Sequence, residues 1–157
     1  MEQLLINDEM NITIPEGFTV LSAEQIAEMN YIDNPPQFCM RNEEKHIIFS
    51  IAYKKTNRFF AALLSAKDIA GSMEKGLEGP MAQFGYELEG YTSRKVGGKA
   101  STGFGYNYQV DDVGMHGAAY SVKTKGTFYY LYAYIRQESR EEGLKTVTEI
   151  LDGISFR

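Results

Sequence analysis

The sequence predicts an α+β domain: an antiparallel sheet, laid down largely as a meander, with helices packed against it. Three observations carry this reading. Residues 86–134 are dense in aromatic and β-branched side chains and are interrupted only by short turn signals. Two stretches, from Ser22 and from Ser65, begin like capped helices, and a third apolar period of helical spacing closes the chain. The length of 157 residues fits one domain, residues 1–157, large enough to bury a core of its own.

Taken in order, Asn11 to Ile14 reads as a short strand stopped by Pro15, and Pro15-Glu16-Gly17 as a turn. Ser22 is a helix N-cap with Gln25 completing a capping box, and Ile26 and Met29 form the inward side of a short helix ending before Asn34-Pro35-Pro36. Gln37 to Arg41 and His46 to Lys54 read as a hairpin joined by 42–45, the second strand alternating Ile47, Phe49, Ile51 and Tyr53 against a mixed face. Ser65 with Asp68 starts a second helix carrying Ile69, Met73 and Leu77 along one side. Gly76, Gly79 and Pro80 predict a kink or restart near Gly79.

The region from Tyr86 then divides at 96–99, 111–114 and 125–126 into four strands whose connections are too short for crossover helices, so they run antiparallel. Glu138 to Asp152 forms a closing helix, with Leu144, Val147 and Leu151, and Ile154 beyond them, at helical spacing and Glu138, Glu141 and Glu142 near its start. All strands are expected in one sheet.

Composition narrows the function classes. With 16 basic and 21 acidic residues the net charge is −5, and no basic tract exceeds Lys54-Lys55 with Arg58 nearby, which argues against nucleic acid. No apolar run approaches the roughly 20 residues of a membrane helix, and the start lacks a signal-peptide pattern. The single cysteine removes any internal disulfide, so a cytoplasmic address without membrane association is expected.

Ile12-Thr13-Ile14-Pro15-Glu16-Gly17-Phe18, the turn and aromatic strand from Gly97 to Tyr108, and the closing stretch from Tyr129 to Ile154-Ser155-Phe156 together resemble the PsbP-like domain family. That family includes an extrinsic photosystem II protein, a Ran-binding nuclear-transport factor and many bacterial proteins. The resemblance spans nearly the whole chain and implies a sheet sandwiched between helices, in proteins that act mainly by binding partners. It does not extend to the residues by which those members bind photosystem II or Ran.

Tyrosine stands out, with 11 copies and no tryptophan. Phe128, Tyr130, Tyr132 and Tyr134 fall on one face of a strand, and Phe104, Tyr106 and Tyr108 can stack beside them. Left open to solvent, Tyr106, Tyr108, Tyr130, Tyr132 and Tyr134 would make a contact surface; under a helix they would be core. Asp111, Asp112 and His116 surround a turn and are too few for a zinc site, so they read as solvated turn chemistry.

Cys39 and His46 could pair as nucleophile and base, yet Cys39 sits in a strand and reads as a small buried residue. Gly97-Gly98-Lys99 lacks P-loop order and reads as a hairpin turn, while Gly103 and Gly105 leave room for neighbouring groups. No catalytic set, metal site or cofactor is expected. The sequence reads as a non-enzymatic module that binds another protein or a second copy of itself. The rival reading is a small-ligand binder or enzyme with a pocket between the sheet and the broken helix near Gly79-Pro80.

Overall fold

The computed structural model describes residues 2–29 and 35–157. The chain opens with a hairpin, β1 (Glu2–Ile6) and β2 (Met10–Ile14), followed by β3 (Thr19–Val20) and α1 (Ala23–Glu28). A second hairpin, β4 (Phe38–Asn42) and β5 (Ile47–Lys55), leads into α2 (Arg58–Leu63) and α3 (Ala66–Met81). The meander β6 (Glu87–Val96), β7 (Lys99–Val110), β8 (Val113–Lys123) and β9 (Thr127–Arg136) is closed by α4 (Arg140–Asp152) and β10 (Ser155–Phe156).

Seven strands form one antiparallel sheet in the order β3-β4-β5-β9-β8-β7-β6. The expectation of a single sheet is corrected here. The strand containing Asn11 to Ile14 belongs to a separate three-stranded sheet, β1-β2-β10. Its apolar residues Ile6, Met10, Ile12 and Ile14 point at the large sheet and are buried, so pairing edge-on would have left them in water.

The large sheet is covered on both faces. On one, Phe49, Ile51, Leu131 and Ile135 pack against the small sheet and against Val147, Ile150 and Leu151 of α4. Full burial of such side chains contributes about 1.5–3 kcal/mol each, which makes this the main core. On the other face, Ile69, Ala70 and Met73 of α3 and Ala61 of α2 lie over Phe104, Tyr106, Ala119 and Phe128. A small cluster of Leu21, Ile26 and Cys39 seats α1.

Both capping boxes form as read. Ser22 Oγ accepts from Gln25 N at 3.2 Å and Ser65 Oγ from Asp68 N at 3.1 Å, with the reciprocal bonds in place. α1 ends at Glu28; the Asn34 of the expected stop lies outside the described residues.

The expected break near Gly79 does not occur. α3 runs unbroken to Met81 with Pro80 inside its last turn, followed by a 3-10 turn at Ala82–Phe84. The proline forfeits the one bond to the Gly76 carbonyl, and with a single helical residue left beyond it there is little of the ladder to disrupt. Gly97 and Gly98, at φ +58° and +79°, make the two-residue turn between β6 and β7.

Candidate functional site

The meander register decides which aromatic rings meet. Tyr106 of β7 faces Gly117 of β8, which faces Tyr134 of β9, and Phe104, Ala119 and Tyr132 form the next row. The five singled-out tyrosines therefore share one face. Tyr106 stacks on Tyr108 with centroids 5.7 Å apart, and Tyr132 on Tyr134 at 6.3 Å. α3 covers the β7 half: Tyr106 is fully buried and Tyr108 nearly so, whereas Tyr130, Tyr132 and Tyr134 are half-buried. Burial pushes the Tyr106 and Tyr108 hydroxyls well above the ordinary tyrosine range.

Tyr86 adds its ring to this stack, 5.4 Å from Tyr106, and donates to Oε2 of buried Glu74 at 2.7 Å. Its own burial and the Glu74 carboxylate hold that hydroxyl protonated.

A polar network lies on the opposite face. Arg140, in the first turn of α4, grips both carboxylate oxygens of Glu89, and Asn107 Nδ2 donates to Glu89 at 2.9 Å. Asn107 Oδ1 accepts from Gln137 and sits 2.8 Å from His116 Nδ1. The Arg140 and Asn107 hydrogen bonds hold the Glu89 carboxyl down to about 2. Burial, then the Arg140 charge, lowers His116, with Glu89 opposing. These groups satisfy one another and pin β6, β7 and β8 to the start of α4.

His116 is buried behind Asn107 while Asp111 and Asp112 stand exposed in their turn. Among the described residues no three His, Cys, Asp or Glu side chains are grouped to hold a metal. Cys39 is buried against Leu21 and Ile26, not in a cleft. Gly105 accommodates the His116 ring and Gly103 the Tyr120 ring, as their spacing suggested.

Two surface clefts are open and mostly polar. One of about 580 Å³ lies between the 3-10 turn after α3 and the β7–β8 turn, lined by Gln83, Phe84, Asn107, Asp112 and Gln137. The other, about 230 Å³, lies over Arg41 to Glu44.

Two surface features escaped the sequence reading. The first is the free edge of the large sheet, β6, whose bulge between Leu88 and Gly90 shifts the register by one residue. Residues three apart normally point to opposite faces of a strand; the bulge turns Leu88 and Tyr91 to the same one, opposite Tyr106 and Phe104. Both are exposed, Tyr91 at 46%.

The second is a charge pole. The basic residues are scattered in sequence, but the meander returns the 96–99 and 123–127 turns to the sheet end where β5 leaves for α2. Lys95, Lys99, Lys123 and Lys125 thereby join Lys54, Lys55, Arg58 and Lys67, which corrects the expectation that basic residues do not cluster. Asp8, Glu9, Asp68 and Asp152 also lie toward this end, Glu9 held by Thr124 and Tyr129, Asp68 by Ser65 and Asp152 by Arg94. The opposite end carries Glu43, Glu44, Glu87, Glu89, Asp111, Asp112 and Glu138 against Arg41, Lys45, Arg136 and Arg140, and so remains acidic on balance.

No family model matches the sequence, and no curated protein matches it. Solved structures do. Cyanobacterial PsbP from Synechocystis sp. PCC 6803 superposes with a TM-score of 0.73 over 99% of this chain and 92% of its own, at 12% identity. The chain has a PsbP-like fold.

LpqN of Mycobacterium tuberculosis, a protein involved in cell envelope biogenesis, is similar over 94% of this chain and 82% of its own, with TM-score 0.63 and 11% identity. A Bacteroides thetaiotaomicron protein matches 99% of this chain with 48% of its own length, at TM-score 0.63 and 12% identity. Such identities speak for the fold alone. Within the PsbP-like fold, the quoted stretches are β2 with its turn, the start of β7 with the turn before it, and β9 through β10. Among the described residues, no helix is long and apolar enough to cross a membrane.

Proposed function

We propose that the chain is a non-enzymatic interaction module that works through the free edge of its large sheet, with a second copy of itself as the partner. The observation that carries the proposal is β6: ten residues, paired on one side only among the described residues, with exposed Leu88 and Tyr91 on one face. Its charges are self-complementary. Glu87 and Glu89 occupy the first half and Arg94 and Lys95 the second, so antiparallel pairing of two copies sets acid against base. Centred on Tyr91 and counting the bulge, the pairing brings Glu87 opposite Arg94 of the other copy, both on the face away from Tyr91.

The proposal moves the contact from Tyr106 and Tyr108, which are buried, to Tyr91, which packs on Phe104 at 5.6 Å and keeps its outer side in water. A small-ligand reading finds less support, since open polar clefts enclose little of a ligand. Light scattering across a wide concentration range tests the proposal. A dimer that Tyr91→Lys turns into a monomer supports it; a chain monomeric at every concentration assigns the edge to a heterologous partner, and a dimer indifferent to Tyr91→Lys removes β6 from the interface.

A further inference from the structure

We infer that the basic end of the molecule docks on an anionic lipid surface, with α2 as the inserting element. This goes beyond pairing along β6 and uses a different surface. α2 exposes Phe59 at 74%, Leu63 at 61% and Phe60 at 47%, although apolar side chains of this size ordinarily seek burial.

The helix is held in place while it presents them. Asn57 Oδ1 accepts from Phe60 N at 2.7 Å at its start, and Lys123 Nζ donates to the carbonyls of Ala61 and Leu64, each at 2.6 Å, at its end. Ala61 is buried against the sheet side and the Phe60 ring leans on Phe128 at 6.2 Å.

Charge names the occupant. From Lys54 to Lys67 the chain carries Lys54, Lys55, Arg58 and Lys67 and no acidic residue, all four are exposed, and Lys125 stands on the adjoining turn. Protruding aromatic and aliphatic side chains within a lysine and arginine rim are the chemistry of an anionic bilayer interface, which takes up the apolar groups and attracts the cations together. A specific protein interface buries about 800 Å² on each partner, more than three side chains on a six-residue helix offer alone. The acidic pole at the far end of the sheet points away from such a surface and favours this orientation in the field of the membrane.

The test is co-sedimentation with phosphatidylcholine vesicles, alone or containing about 30% phosphatidylglycerol as the anionic lipid. The wild-type chain is expected to pellet with the anionic vesicles and at least about tenfold less with the neutral ones, and to be released by salt. The double variant Phe59→Ser/Leu63→Ser, which changes only exposed side chains, is expected to lose binding about tenfold or more while keeping its circular dichroism. Equal partition to both vesicle types, or binding unmoved by the double variant, overturns the inference. Capture of an acidic protein through α2 by a chain that ignores anionic vesicles overturns the lipid assignment and gives the face to a protein partner.

Discussion

The Tyr106 ring occupies the space in which Gly117 would carry a side chain: a Cβ built on Gly117 falls 2.1 Å from Tyr106 Cζ and 2.5 Å from its hydroxyl oxygen. One strand thus lends its missing side chain to its neighbour's ring, which closes the aromatic face beneath α3. Gly117→Ala is expected to cost about 2–3 kcal/mol, as overpacking of a fixed core does. Adding Tyr106→Leu should recover part of the loss. Urea melts of the two variants check both, and an unshifted midpoint for Gly117→Ala would show that the ring moves aside freely.

The same ring carries a second expectation. Its hydroxyl is buried and meets no hydrogen-bond partner among the described residues. An unsatisfied buried hydroxyl is a desolvation cost, so Tyr106→Phe should stabilise the fold by about 1 kcal/mol. A lower urea midpoint for this variant would mean that the hydroxyl has a partner in solution.

Acid sensitivity should come in two steps. His116 has a folded pKa below its ordinary 6.5, so the folded state resists its protonation and stability falls as pH drops below that value. Glu89 is held at about 2 against an ordinary 4.5, and its contribution is present above 4.5 and lost as pH falls toward 2. The pair with Arg140 is substantially exposed, so solvent screening limits it to about 1 kcal/mol or less. Melts across pH should show Glu89→Gln flattening the lower step and, since the carboxylate opposes the lowering of His116, deepening the upper one; an unchanged lower step would contradict the assignment.

At the β7–β8 turn, Asp111 and Asp112 adopt φ of +49° and +67°, a left-handed conformation that glycine takes without strain. Asp112→Gly produces the Asp-Gly pair that such hairpins favour and is expected to stabilise by about 0.5–1 kcal/mol. An unchanged or lower thermal midpoint would contradict this.

The elements that announced themselves in sequence did so through local chemistry. Ser22 with Gln25 and Ser65 with Asp68 marked helix starts because a capping box needs only neighbours. The β7–β8 hairpin was legible from its turn signal at 111–114, but the structure turns within Asp111-Asp112 alone, and only that register sets Asn107 opposite His116. Glu89 and Arg140 were not legible as partners: they meet across 51 residues, because only the fold brings the first turn of α4 within reach of a β6 side chain.

α2 was invisible for another reason. Phe59 to Leu64 is apolar throughout, which erases the helical period, and its largest residues face water instead of the core. The clustering of scattered lysines likewise belongs to topology, since only the meander returns the turns to one end. The Leu88–Tyr91 face needed a bulge whose sequence signal, Gly90 inside the strand, went unread.

The proposed pairing of two copies through β6 is tested most directly by sedimentation of charge-swapped edges. Glu87→Arg and Arg94→Glu should each weaken the dimer by about tenfold through like-charge opposition, and the double swap should restore it, because acid again faces base across the antiparallel edge. Dissociation that is simply additive in the double variant, or a wild-type chain that sediments as a monomer at all concentrations, would contradict pairing along this strand.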